Sequence, residues 1–333
     1  MPVSEGAGDG AGRGPVRAER RIAALDALRG FALCGIVFIN IPQTLEMYAG
    51  EERLPGVLRW FFLGRFYPIF FLLFGVGFGL FLRSARRHAA RPRVLLLRRF
   101  AALAVVGALL HLLQPGEVLL PFAVTGVLVL LPLSFLDGRA LPVNGIGLTA
   151  VGLVAGTGGF GLLPGLFALG YALAEMDVPA ALERRTGRLL AFGAGAAAVC
   201  GLSWWLVALG PPAVARTRLE LLLSLAMAAC YTVLFLLALR TPAGPALSRA
   251  LAPMGRLALT NYVTAALLFV PIGRAMGLHG SAEWGAAALL GIGILAAQAV
   301  FSGLWLRRFR YGPLEWAWRC VTYWRRLPIG GTP

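Results

Sequence analysis

The chain has 333 residues, 58% of them hydrophobic and 14% charged, with a mean hydropathy of +0.76. One soluble core cannot bury so much apolar side chain, so a soluble enzyme is excluded and an integral membrane protein is implied. The net charge of +16 is carried by arginine alone; gathered at helix ends it meets anionic headgroups and sets orientation, and nucleic acid is not an expected partner.

Residues 1-20 are Gly-rich and Arg-bearing with no short apolar core or cleavage site, and read as a flexible cytosolic tail and not a signal peptide. About 20 apolar residues cross the roughly 30 Å hydrocarbon layer, and this ruler predicts about ten spans. They fall at 22-41, 63-82, 97-113, 118-136, 142-157, 160-175, 189-209, 220-239, 256-273 and 285-306. The predicted class is therefore an all-α, polytopic helical bundle over 21-310. The Gly-rich GTGGFG reads either as a tight hairpin between two short helices or as a break in one long segment. Arginine counts decide: ten spans with a cytosolic N-terminus put 24 Arg inside and 6 outside, whereas a single span over 142-175 evens the tally at 15 each. The positive-inside rule thus predicts a multi-pass cell-membrane protein with both termini cytosolic.

The first span, LDALRGFALCGIVFIN, carries Asp26, Arg29 and Asn40 on one stripe, since eleven residues are three helical turns with about 20° left over. A charge in hydrocarbon costs several kcal/mol, roughly 2.5 to 3.5 on the most lenient scale, so this stripe is predicted to face other helices. An ion pair that only fixes packing and a ligand-binding role both remain open. The second span begins with Arg65 and Tyr67, and its Gly75 and Gly79 form a small-xxx-small packing face, not a phosphate loop. Arg83 to Arg99 is a solvated basic loop that could also attract the phosphates of a cytosolic ligand.

The third span ends at His111, about 18 Å from Arg99 at 1.5 Å per residue, in the outer half of the layer. Glu117 opens the next helix after a Pro-Gly turn. A carboxylate beside a histidine can orient it as a general base; an interfacial pair facing water or headgroups is the alternative. The ninth span starts GRLALTNYVT, where Arg256, Thr260, Asn261 and Thr264 bring a second polar stripe in from the cytosolic side. The end of the chain, 311-333, mixes Trp, Tyr and Arg in the manner of an amphipathic segment lying in the interface. Cys34, Cys200, Cys230 and Cys320 sit singly, suggesting neither disulfides nor a metal site.

RIAALDALRGFALCGIVFIN, GRFYPIFFLLFGVGFGL, HLLQPGEVLLPFAVTG, GRLALTNY and YGPLEWAWRCVTYWRR together resemble the successive motifs of the YeiB-like membrane proteins (domain of unknown function 418). The resemblance extends from Arg21 to Arg326 and reaches, more distantly, transmembrane acyltransferases such as heparan-alpha-glucosaminide N-acetyltransferase, which share the R-x-x-x-x-D-x-x-R-G opening. It implies a membrane-embedded acyltransferase that moves an acyl group from cytosolic acyl-CoA, acetyl-CoA included, to a hydroxyl or amine of a small-molecule, sugar or lipid acceptor, with no metal. On this reading Asp26, Arg29, Arg256, Thr260 and Asn261 hold the acyl-CoA, Asn40, Arg65 and Tyr67 the acceptor, and His111 is the base oriented by Glu117. The chain departs from the family pattern at Gly116-Glu117-Val118-Leu119, at Phe122 and in VTAA, and the animal enzyme's catalytic histidine has no counterpart near Arg59 or Arg65. A transporter or flippase without covalent chemistry is the competing expectation, a packing scaffold a third, and a homodimer is left open.

Overall fold

The computed structural model describes residues 15–47, 54–177 and 186–330, so most of the expected 1-20 tail lies outside the described residues. Every regular element among them is helical: α1 (Pro15–Thr44), α2 (Tyr67–His88), α3 (Pro92–His111), α4 (Leu119–Leu133), α5 (Ala140–Ala155), α6 (Leu163–Glu175), α7 (Thr186–Ala208), α8 (Ala213–Ala238), α9 (Gly244–Arg256), α10 (Ala258–Ala275), α11 (Trp284–Trp305) and α12 (Pro313–Tyr323). A π-helical turn, Leu58–Phe62, leads into α2.

Each of the ten apolar stretches forms a helix, but seven of the helical segments are long and apolar enough to cross a membrane, the longest being Leu58–His88. The other three, Leu119–Leu133, Ala140–Ala155 and Gly159–Glu175, are shorter. Sixteen residues reach only about 24 Å, so about ten full-length spans overstates what these three can do alone.

GTGGFG is a hairpin. Gly156 closes α5 in the left-handed region at φ 63°, Gly158 follows at 84°, and the chain then runs back. A side chain at Gly145 would meet Leu169, one at Gly165 would meet Thr149, and one at Gly152 would meet the Gly161 carbonyl. These pairs step in opposite directions along the two helices, which fixes them as antiparallel partners. Two glycine-lined approaches hold the rest of this half together. A Cβ on Gly75 would lie 2.2 Å from the Phe167 carbonyl oxygen, and one on Gly170 would lie 2.1 Å from that of Leu72, so α2 and α6 touch backbone to backbone. Around that seam the rings of Phe74 and Phe167 stack at 4.7 Å, and Phe122 meets Phe167 edge-on at 5.0 Å.

The stretch between the eighth and ninth spans, expected only as a cytosolic connection, is the amphipathic helix α9. It lies along α1 so closely that a Cβ on Gly30 would sit 2.2 Å from the Leu251 oxygen and one on Gly255 1.7 Å from the Asp26 oxygen. The chain breaks at Leu257 and continues as α10.

Contacts at the helix ends sort into two faces. At one, Arg83 (end of α2) pairs with Asp177 just beyond α6, Arg86 and Arg93 donate to the Ser134 carbonyl after α4, and Arg240 after α8 reaches Thr186 at the start of α7. At the other, the Gly280 N–H reaches the Leu45 carbonyl, Trp60 stacks on Trp204, and Arg218 donates to the Val154 carbonyl. This is the alternation of an up-and-down helix array, and it gathers the arginine-rich ends on one face.

Candidate functional site

A cavity of about 850 Å³ opens among the arginine-bearing helix ends. Its walls come from α1, α2, α3, α4, α9, α10 and α12. At the mouth stand Arg29, Arg99, Arg256, Arg310 and Arg319, against which only two carboxylates, Asp26 and Glu315, line the space. Further in, the walls turn apolar and aromatic through Phe70, Phe74, Phe78, Phe100, Leu103 and Phe122, and the Tyr262 side chain also lines it.

Both carboxylates are occupied. Asp26 is buried, 7% exposed, and accepts from Arg29 at 2.9 Å; Arg29 also donates to the Leu73 carbonyl at 3.4 Å. The ion pair of the first helix thus faces the bundle and the cavity together, which a lipid-facing pair could not do without the full cost of burial. Glu315 takes the Leu259 and Thr260 N–H groups at 2.8 and 3.0 Å and the Thr260 hydroxyl. It thereby caps the broken start of α10 from another helix. Burial pushes the Glu315 carboxyl above its ordinary range, opposed by these hydrogen bonds, which favour its ionised form.

The residues expected to hold the donor divide accordingly. Asp26, Arg29 and Arg256 line the cavity. Thr260 is engaged by Glu315 and the Leu314 N–H. Asn261 is fully buried, donates to the Met254 carbonyl and Ser302 Oγ, and its own carbonyl takes Gln298 Nε2; it fastens α10 to α9 and α11 and does not line the space.

Among the acceptor candidates, Tyr67 donates to Asn40 Oδ1 at 2.8 Å, so these two are brought together. Arg65 stands apart: it is buried, with its guanidinium held by the Trp60 carbonyl, the Glu220 carbonyl and Ser224 Oγ at 2.6 Å. It joins α2 to α8. The Tyr262 hydroxyl receives the Val118 N–H at 3.1 Å, which places the inner end of the cavity one residue from Glu117.

His111 and Glu117 are not joined by a hydrogen bond. His111 is exposed at the end of α3, while Glu117, 1% exposed, accepts the Leu119 and Leu120 N–H groups and caps α4. Burial raises the Glu117 carboxyl above its usual range, and the charge of His111 acts against that rise. The carboxylate is thus within electrostatic reach of the imidazole without orienting it.

Arg99, Glu315, Trp318 and Arg319 were not expected in the site. Glu315, Arg319 and Tyr323 follow one another at intervals of four residues along α12, and with Trp318 beside them they lie on one helical face. That face was legible as amphipathic, but its partner reads as lipid until the fold shows it closing a cavity. Among the described residues no three of His, Cys, Asp or Glu are grouped to hold a metal.

Comparison with known proteins bears on this site directly. Residues 21–158 match the family model "Heparan-alpha-glucosaminide N-acetyltransferase, catalytic", and residues 176–325 match "Protein of unknown function (DUF418)". An uncharacterized 39.9 kDa protein encoded in the amylase 3' region of Bacillus acidopullulyticus is 30% identical over 351 aligned positions, covering 95% of this chain and 97% of the relative. The chain belongs to the YeiB-like, DUF418-bearing family. Shorter stretches match the uncharacterized protein YxaH of Bacillus subtilis strain 168 (44% identical, 23% of this chain, 19% of YxaH) and the uncharacterized protein YeiB of Escherichia coli K12 (39% identical, 23% of this chain, 22% of YeiB). No solved structure matches. The two matched segments share the cavity: Asp26, Arg29, Arg99 and Phe122 come from the first, and Arg256, Tyr262, Glu315 and Arg319 from the second.

Proposed function

We propose that this multi-pass protein is a membrane-embedded acyltransferase that draws its acyl group from acyl-CoA on the cytosolic side. The observation that carries this reading is the cavity, which joins a mouth of five arginines to an aromatic inner end. That pairing suits a molecule with a phosphorylated head and a slender apolar arm. The match of residues 21–158 to an N-acetyltransferase catalytic model points the same way.

Bound acyl-CoA supplies an activated thioester. The chain's own residues have the remaining tasks. Arg256, Arg310 and Arg319 attract and seat the head. Phe74, Phe78 and Phe122 exclude water from the inner end. Tyr262, already accepting the Val118 N–H, can turn its hydroxyl proton toward a developing oxyanion. The acceptor enters from the opposite face beside Asn40 and Tyr67. His111 takes the proton of its attacking hydroxyl or amine as base, and Glu117 stabilises the resulting imidazolium by charge alone. Collapse of the tetrahedral intermediate breaks the thioester C–S bond, so that coenzyme A leaves as the thiolate and is protonated to the free thiol by solvent at the cytosolic mouth.

The arginine-rich face is then cytosolic, with both chain ends on it, and the three short helices cross by pairing with their longer neighbours. The test uses purified protein in sealed proteoliposomes, incubated with radiolabelled acetyl-CoA outside and a membrane extract from which acceptors are drawn. Label moving to an acceptor at a rate that falls with Arg256→Gln supports the proposal. Label that crosses to the far side unchanged indicates a transporter instead.

A further inference from the structure

We propose that Arg99 anchors a phosphoanion site at the cavity mouth, one that takes a diphosphate-like group. This rests on the acyl-CoA reading only for the source of that group.

The Arg99 guanidinium lies 3.7 Å from the centre of the Trp318 ring and 4.6 Å from that of Phe81, and it lines the cavity. A guanidinium packed on aromatic rings keeps its in-plane N–H groups free to donate. Among the described residues those groups meet no carboxylate. The ion pairs of the described residues use Arg29, Arg83, Arg86 and Arg216, and the cavity's two carboxylates are bound elsewhere, Asp26 to Arg29 and Glu315 to Thr260.

Its neighbours deepen the deficit. Arg29 and Arg319 both act on Arg99 with like charge, and these three come from α1, α3 and α12. Asp26 neutralises Arg29, but Arg99 and Arg319 face the cavity without a carboxylate partner among the described residues, and packing alone does not favour two such cations side by side. An anion carrying more than one charge resolves it, and phosphate oxygens match the guanidinium fork in a bidentate manner. The ADP portion of coenzyme A and the phosphate of an anionic lipid both offer that chemistry.

The test measures inorganic pyrophosphate binding calorimetrically to full-length protein in phosphatidylcholine nanodiscs. Wild type should bind, and Arg99→Gln should weaken binding by roughly 10- to 100-fold, the loss of a charge-assisted pair. Arg99→Lys should recover only part of it, and Arg98→Gln, beside exposed Trp324, should bind as wild type does. If Arg99→Gln does not fold, Arg319→Gln takes its place with the same expectation. Competition by coenzyme A assigns the source to the nucleotide; loss of pyrophosphate binding in phosphatidylglycerol nanodiscs assigns it to lipid. Pyrophosphate binding that is absent in wild type or unchanged in Arg99→Gln overturns the site. Arg99-dependent binding without any acyl transfer keeps the site and removes the enzyme reading.

Discussion

Trp318 and Arg99 hold each other twice: the indole N–H donates to the Arg99 carbonyl at 2.7 Å, and the Arg99 guanidinium lies 3.7 Å above the Trp318 ring. This double contact fastens the terminal helix α12 to α3 and builds one wall of the cavity. Trp318→Phe keeps a ring for the cation and loses the hydrogen bond, so it should cost about 1 kcal/mol. Trp318→Ala loses both contacts and should cost roughly 2 to 4 kcal/mol. Thermal unfolding in one detergent should rank wild type, Phe and Ala in that order. Equal melting of the Phe and Ala variants would show that the ring contributes nothing.

The α2–α6 seam makes a separate demand. Gly75→Ala forces a methyl group to within 2.2 Å of the Phe167 carbonyl oxygen, which only a shift of one helix backbone relieves. Overpacking of this kind costs typically about 1 to 3 kcal/mol. Gly293→Ala on α11 meets nothing within 4 Å and serves as control, expected to melt at or slightly above wild type. Melting curves for the pair decide; a Gly75→Ala protein as stable as the control would disprove the close approach.

How far the sequence led can be judged on these same helices. Apolar stretches about 20 residues long and the positions of Gly75 and Gly79 were readable, because membrane crossing and close helix approach depend on local composition. The arginine tally also separated hairpin from broken span at GTGGFG, and the paired glycines of α5 and α6 agree with the hairpin. Pairings between distant segments were not readable. Nothing local in Glu315 says that it caps α10, and nothing in Arg65 says that its guanidinium ends at Ser224, 159 residues away. The hydrogen bonds of Glu117 were hidden for the opposite reason. Its nearest partners are the N–H groups two and three residues on, so a carboxylate expected to orient His111 gives its hydrogen bonds to a helix start.

Topology gives a third expectation. Reporters fused after Pro333 and within residues 178–185 should both mark the cytosol, and one inserted at Gly210 the opposite side. A reporter within 178–185 marking the outside would mean that α5 and α6 do not cross as a pair.

Glu315 makes stability depend on pH. Burial holds its carboxyl above the unfolded value of about 4.3, so between the two values the folded chain binds more protons than the unfolded one. The stability this contributes is therefore full below about pH 4.3 and is lost as pH rises through the folded value. In Glu315→Gln the dependence disappears. The stability of wild type minus that of the variant should shrink from pH 4.5 toward pH 8, followed by chemical unfolding at fixed ionic strength. A difference that grows with pH would mean the hydrogen bonds from Leu259 and Thr260 outweigh burial.

The claim with most at stake concerns His111, because the fold leaves it exposed and unoriented by Glu117. If it is the base for acyl transfer, His111→Ala should lose about 10² to 10⁴ in turnover while acyl-CoA still binds with wild-type affinity and the melting curve stays put. Glu117→Ala should behave the other way round. Removing a capping carboxylate costs roughly 0.5 to 2 kcal/mol of stability, and turnover should fall far less than in His111→Ala, since only a charge effect on the imidazole is lost. Parallel turnover and melting measurements on the two variants separate the roles. Full activity in His111→Ala would remove histidine from the mechanism and leave Tyr262, at the inner end of the cavity, as the group to test next.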